Sequence, residues 1–268
     1  MFSLVSLLVA AALVSQQCTF EASARQIMDK KNEIDNSLKP NALPGKRGHL
    51  RKYLKIDPPP EKVEHLMGTT TILTCEVSGH PAPTVSWVRN GELISDFEED
   101  TNEIFSIHPS SIAKLISKLV LTAPSDGDVY TCVAVAGDMQ RAASTIIYTE
   151  EGEDTGDLLE QLFNVPTKPV ITASYESLLQ NSGTNALLPC RVSSLTKSHV
   201  YWIAYDSTGT HSKIVYDTPH TKILPSGDLL ISKLSFADMG TYTCVAQNMY
   251  GKDTADTFIY ALEPSHAN

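Results

Sequence analysis

The side chains able to do covalent or acid–base chemistry are scattered along this chain. Its eight histidines have no metal-ligand spacing, and neither His-Glu-x-x-His nor Gly-x-Ser-x-Gly occurs. Glycine loops of the phosphate-cradling kind are also missing. Asp154-Thr155-Gly156 copies the aspartic-protease triplet, but only once, inside an acidic run. That chemistry needs two such carboxylates sharing one proton in an apolar setting. No enzyme is expected, and no cofactor or metal is implied. A formal charge of −10 also argues against nucleic acid, because binding phosphates requires an excess of Lys and Arg.

The cysteines are more informative. In Asp238-Met239-Gly240-Thr241-Tyr242-Thr243-Cys244, Tyr242 and Cys244 share a parity, so on a period-2 strand both face one side. Cys190 lies upstream, with Trp202 twelve residues after it. The same frame occurs as Cys75, Trp87 and Asp126-Gly127-Asp128-Val129-Tyr130-Thr131-Cys132. This frame resembles the immunoglobulin superfamily. Gly79-x-Pro81-x-Pro83-x-x-x-Trp87-x-x-Asn90-Gly91 is similar to its intermediate-type domains. The resemblance implies an all-β chain of two tandem immunoglobulin-like, intermediate-type β-sandwiches. It implies bridges Cys75–Cys132 and Cys190–Cys244, with Trp87 and Trp202 packed against them and Tyr130 and Tyr242 as tyrosine corners. Asp128 stands where glycine is usual two residues before the tyrosine, which leaves the geometry of that turn open.

The rest of the chain reads as follows. Residues 1–24 are expected to be a secretory signal: an apolar run over Phe2–Val14, too short to span a bilayer, then Ala22-Ser23-Ala24 as a small-x-small cleavage site. Cleavage there removes Cys18 and leaves four cysteines, an even number that suits an oxidising compartment. Residues 25–55 are polar without periodicity and read as a flexible extension. In it Lys46, Arg47, Arg51, Lys52 and Lys55 are either a solvated tail or a weak contact for sulfated glycans. Gly45-Lys46-Arg47 also resembles a processing site. The first domain is expected over 56–149 and the second over 167–263, followed by a polar tail, 264–268. No further apolar run follows the leader, so no membrane span is expected and the product should be extracellular.

Between the domains, 150–166 begins as an acidic run and continues into Leu158-Leu159-Glu160-Gln161-Leu162-Phe163. Leu158, Leu162 and Phe163 must bury somewhere, on a domain face or on a partner. The alternation that turns Trp202, Tyr242 and Cys244 inward turns Tyr201, Ile203, Tyr205, Val245, Phe258 and Tyr260 outward. Val88, Val133, Val135, Ile146 and Tyr148 repeat this more weakly in the first domain. Either neighbouring surfaces cover these side chains, or they form an open binding surface, for which a tyrosine-rich composition is apt.

The two-domain layout, the acidic linker and the paired strands Ala143-Ser-Thr145-Ile-Ile147-Tyr148 and Ala255-Asp-Thr257-Phe-Ile259-Tyr260 resemble the secreted two-immunoglobulin-domain family of invertebrates. That family includes the insect neural/ectodermal development factor and the nematode zwei-Ig proteins. Insect members bind insulin-like peptides, so the resemblance implies a secreted protein that sequesters such a peptide. The alternative is an adhesion or neuronal-positioning module that binds cell-surface or matrix proteins. N-terminal sequencing of the exported protein should begin after Ala24; a product retaining Cys18 would contradict the leader assignment.

Overall fold

The computed structural model describes residues 51–66, 69–94, 108–149, 167–206 and 209–263. The expected leader with Cys18, Lys46, Arg47, the linker with Leu158, Leu162 and Phe163, and the tail lie outside these residues. Among the described residues, apart from a single 3-10 turn at Phe236–Asp238, the elements are all strands. In the first sandwich β1 (Tyr53–Asp57), β3 (Thr71–His80) and β6 (Ile112–Leu121) make one layer. The other contains β2 (Lys62–His65), β8 (Met139–Thr149), β7 (Val129–Ala136), β4 (Thr84–Arg89) and β5 (Glu92–Ile94), in that order. In the second, β9 (Val170–Asn181), β17 (Gly251–Leu262), β16 (Gly240–Asn248), β12 (His199–Tyr205) and β13 (Ser212–Ile214) face β10 (Ala186–Leu188), β15 (Leu229–Ile231) and β14 (Thr221–Ile223). These are tandem all-β immunoglobulin sandwiches.

Each core is built from the inward parity of its strands. Leu73, Cys75 and Val77 meet Trp87, Tyr130, Cys132 and Ile147, all buried. Trp202, Tyr242, Cys190 and Cys244 are buried likewise in the second core. Bridges join Cys75 to Cys132 and Cys190 to Cys244, closing sequence separations of 57 and 54 residues. In the chain-entropy account each such loop contributes about 4 kcal/mol. A buried indole needs an acceptor: Trp87 Nε1 donates to Ser117 Oγ at 3.0 Å and Trp202 Nε1 to the Gly227 carbonyl at 2.9 Å.

Strand β1 starts inside the segment expected to be flexible. It pairs with β3 from Tyr53 to Asp57, because Leu54 and Ile56 alternate inward against the first core. The second strand B is divided at Pro189, which has no N–H to donate to a ladder. β10 pairs with β15 before it, while β11 (Cys190–Ser193) pairs with β9 after it.

The two sandwiches share a sheet. An immunoglobulin strand E ordinarily pairs with strand D of its own domain. Here β6 pairs with β9 of the second sandwich, Ile112 opposite Leu179 through Ser117 opposite Ala173. One ladder thus runs β1-β3-β6-β9-β17-β16-β12-β13. Ala113 and Leu115 of β6 are buried together with Tyr175 and Leu178 of β9 in the second core.

The two F-strand corners differ. In the second, Tyr242 donates its hydroxyl to the Asp238 carbonyl at 3.1 Å. Gly240 is needed beside it: at φ +148° a Cβ would collide with the Tyr205 carbonyl. In the first, the glycine moves one place earlier, to Gly127 at φ +78°. Asp128, 6% exposed, accepts from Arg89 and Asn90, each at 2.7 Å, and from the Ser125 N–H at 2.8 Å. Burial pushes its carboxyl up, but these donors outweigh burial and hold it below the ordinary value. The Tyr130 hydroxyl reaches this carboxylate, at 3.4 Å, rather than a carbonyl.

Paired threonines on the two G strands give a further contrast. Thr257 Oγ1 donates to the Tyr175 carbonyl at 2.6 Å. Thr145, its counterpart, is fully buried, and its hydroxyl has no partner among the described residues. Ile146 pairs with Lys62 as Phe258 pairs with Ser177, so Pro60 falls where Tyr175 stands. We expect Thr145→Val to be neutral or to stabilise by up to about 1 kcal/mol, whereas Thr257→Val should cost roughly 1–2 kcal/mol by leaving a buried carbonyl unmet. Chemical denaturation of the two variants checks this; equal effects would refute it.

Candidate partner-binding face

On the shared sheet, residues of one parity from β6, β9, β17, β16, β12 and β13 lie on a single outer face. Tyr260 stands opposite Leu179, and Leu179 opposite Ile112. Phe258 lies between Thr241 and Ser177, while Ile203 lies between Thr243 and Ile214. Tyr201 faces Val245. Apolar side chains therefore recur obliquely from the first sandwich to the far edge of the second, with Ile112, Leu179, Tyr260 and Phe258 on one side of Thr241 and Thr243 of β16 and Ile203 and Ile214 on the other. Phe258 is 44% exposed, Tyr260 42% and Ile214 49%. Tyr201, Ile203, Tyr205, Leu179 and Ile112 are half-buried.

Val245 differs from expectation. It does have the outer parity, but it is only 3% exposed. Its strand is flanked on both sides, and its short side chain lies between Tyr201 and Thr254. It belongs to the floor of the face and not to its contact surface.

Polar groups border these side chains. Thr243 Oγ1 donates to Asp256 Oδ1 at 2.6 Å. On the first-sandwich side Lys114 Nζ lies 2.5 Å from Glu176 of β9 and 2.9 Å from Glu76 of β3. Its ammonium is held well above the usual lysine range, first by Glu176 and then by Glu76. Glu176 is the extra residue where the β6–β9 register shifts; the bulge carries it to the lysine. A fixed cation with two carboxylates thus marks the seam.

A cavity of about 500 Å³ lies against the other side of β6 and β9. Leu115, Tyr175, Leu178, Pro83 and Leu230 line it, with the Arg191–Asp228 pair at 2.6 Å. Burial raises the Asp228 carboxyl, and Arg191 opposes this in part. Among the described residues, no three His, Cys, Asp or Glu side chains converge as metal ligands, and no helix is long and apolar enough to cross a membrane.

Comparison with known proteins agrees with this architecture. An immunoglobulin-domain family model matches residues 55–135 and 168–248. The neural/ectodermal development factor IMP-L2 of Drosophila melanogaster is 31% identical over 258 residues, covering 95% of this chain and 94% of the relative. Zwei Ig domain protein zig-3 of Caenorhabditis elegans is 30% identical over 199 residues, 72% of this chain and 74% of the relative. The crystal structure of IMP-L2 superposes with a TM-score of 0.65 at 28% identity, covering 80% of this chain and 97% of that one. The chain belongs to the two-immunoglobulin-domain family of invertebrates.

Within this family member, the face includes residues that sequence reasoning missed: Ile112, Leu179 and Ile214. The available signal was β6 itself, Ile-Ala-Lys-Leu-Ile-Ser-Lys-Leu-Val-Leu, which places Ile112, Ile116 and Val120 on its outer parity between Lys114 and Lys118, in addition to an apolar inner parity. On the first sandwich's own outer face Tyr148 is 41% and Val135 36% exposed. Val88, Val133 and Ile146 are half-buried, and Lys62 Nζ lies over the Tyr148 ring at 5.5 Å. Of the basic cluster, Lys52 pairs with Asp138 at 3.0 Å and Lys55 with Asp57, which lowers its net charge.

Floor and surface should respond differently to truncation. Val245→Ala is expected to cost about 1–3 kcal/mol of stability and Trp202→Ala about 3–5 kcal/mol. Phe258→Ala should cost roughly 0.5–1 kcal/mol, as a partly exposed strand residue. Urea titrations would measure all three; a Val245→Ala cost no larger than that of Phe258→Ala would return Val245 to the surface.

Proposed function

We propose that this protein is a secreted binding protein that captures an insulin-like peptide on the outer face of its shared sheet and holds it from its receptor. The observation that carries this reading is the row Ile112–Leu179–Tyr260 across the seam of the two sandwiches, with Tyr260 and Phe258 exposed on it and Ile203 and Ile214 beyond Thr241 and Thr243 at the far edge. Soluble monomers rarely expose a contiguous apolar patch beyond a few hundred Å² unless something binds there. Tyr and Phe anchors on a flat, rigid ladder suit a protein partner, because few rotamers are lost on contact. Membership of the family that includes the insect neural/ectodermal development factor supports the peptide class, which the sequence resemblance already implied. Leu158, Leu162 and Phe163 of the linker remain candidates for an added contact.

Titration calorimetry with a purified insulin-like peptide tests the reading. The parent should bind it. Tyr260→Ala and Phe258→Ala should each lose roughly 1–4 kcal/mol of binding while staying folded. Leu179→Ser, at the seam, should weaken binding in the same direction. If both aromatic variants bind like the parent, the peptide lies elsewhere. If the parent ignores the peptide and instead self-associates, the adhesion reading replaces this one.

A further inference from the structure

At the end of the second sandwich that carries the β16–β17 turn, one side chain ties three segments together. Asn248 Nδ2 contacts the Thr167 carbonyl at 2.7 Å, Thr196 Oγ1 at 3.0 Å and Ser194 Oγ at 3.3 Å. Its Oδ1 accepts from the N–H groups of Tyr250 and Gly251 at 2.9 and 3.1 Å. The start of β9, the loop between β11 and β12, and the β16–β17 turn therefore form a single fixed tip. Three apolar side chains project from it: Leu195 57% exposed, Met249 86% and Tyr250 49%.

Turn formation does not require them. Tight hairpin turns favour Gly, Asn and Asp, which adopt the needed backbone at least cost. The equivalent turn of the first sandwich, between β7 and β8, follows that rule with Gly137-Asp138. The second sandwich places Met249-Tyr250 there, between the paired Asn248 and Gly251. Folding of the same hairpin thus proceeds with polar residues in one copy, while the other displays large apolar ones.

The charge around the tip is also unlike that of the whole. Lys168, Lys197 and Lys252 border it, all exposed. A Cβ on Gly251 would lie 3.1 Å from Lys168 Cβ, and Lys197 follows the clamped Thr196. The nearest carboxylate in sequence, Asp253, is engaged by the Ile171 N–H at 2.9 Å. Lysines around projecting Leu, Met and Tyr, in a chain of net charge −10, match one kind of surface: a shallow apolar zone beneath anionic headgroups. Apolar tips enter the acyl boundary, tyrosine favours the headgroup level, and lysines stay among the anions. A sulfated polysaccharide would use the lysines alone and leave Met249 without a partner.

We propose that this tip is a membrane-docking site for anionic lipid bilayers, separate from the face assigned to peptide capture. Co-sedimentation of the full exported chain with phosphatidylcholine vesicles, with and without phosphatidylserine, tests it. The parent should bind the phosphatidylserine vesicles, less so at high salt, and bind pure phosphatidylcholine weakly. Leu195→Asp with Met249→Asp, both at exposed positions, should lower the bound fraction by about tenfold or more, and Lys197→Glu should lower it less. Gly137→Met with Asp138→Tyr is the control on the other hairpin and should not raise binding. Failure of the parent to bind, or binding unchanged by Leu195→Asp with Met249→Asp, overturns the proposal. Retention on heparin that depends on Lys197 but not on Met249, without vesicle binding, would assign the tip to a polysaccharide.

Discussion

The backbone ladder between β6 and β9 is the interaction on which the rest of this molecule depends. Two immunoglobulin sandwiches joined only by a chain would be free to pivot. Here strand E of the first pairs with the first strand of the second, and each hydrogen bond in the run fixes both distance and direction. Ala113 and Leu115 add to this by entering the neighbour's core. Polar backbone groups at a sheet edge otherwise invite unwanted pairing with other chains. The same ladder therefore satisfies an edge, sets the angle between the sandwiches and makes two short faces into a single long one.

Side chains at the seam fit that role. The register shift opposite Lys114 and Leu115 turns Glu176 toward the lysine, and Glu76 completes the group from β3. An ion group this exposed contributes little to stability by itself. Its value is positional, since one lysine of β6 contacts both flanking strands, β3 and β9, and specifies which residues face one another. Register matters here because a slip of one residue would send Phe258, Tyr260 and Leu179 to the opposite side.

Much of each sandwich was legible in the sequence, for a physical reason. A bridge between facing sheets fixes the parity of two strands, a tryptophan and a tyrosine fix two more, and alternation extends the pattern to their neighbours. Trp87, Tyr130, Trp202 and Tyr242 are all buried. Parity does not report crowding, however: it turns Val245 outward, and the flanking strands bury it there. Nor does it report which edges join. The β6–β9 ladder is made by backbone groups that every sequence possesses, and only Ile112, Ile116 and Val120 on the outer parity of β6 hint at it. Asp128 shows a third limit: a missing glycine signalled an altered corner, but the Arg89–Asn90–Asp128 cluster required strands β4 and β7 side by side.

The shared sheet also bears on how this gene can be cut and reused. Immunoglobulin domains are often exchanged as modules because each closes its own hydrogen-bonding pattern. In this chain the first sandwich has strand E completed by its neighbour, and the second has its first strand flanked by β6 on one side and by β11 and β17 on the other. Separating the halves at the linker would leave two bare ladder edges, one on each fragment, beside apolar surface that now lies inside. The unit that can be duplicated, transplanted or expressed by itself is therefore the pair.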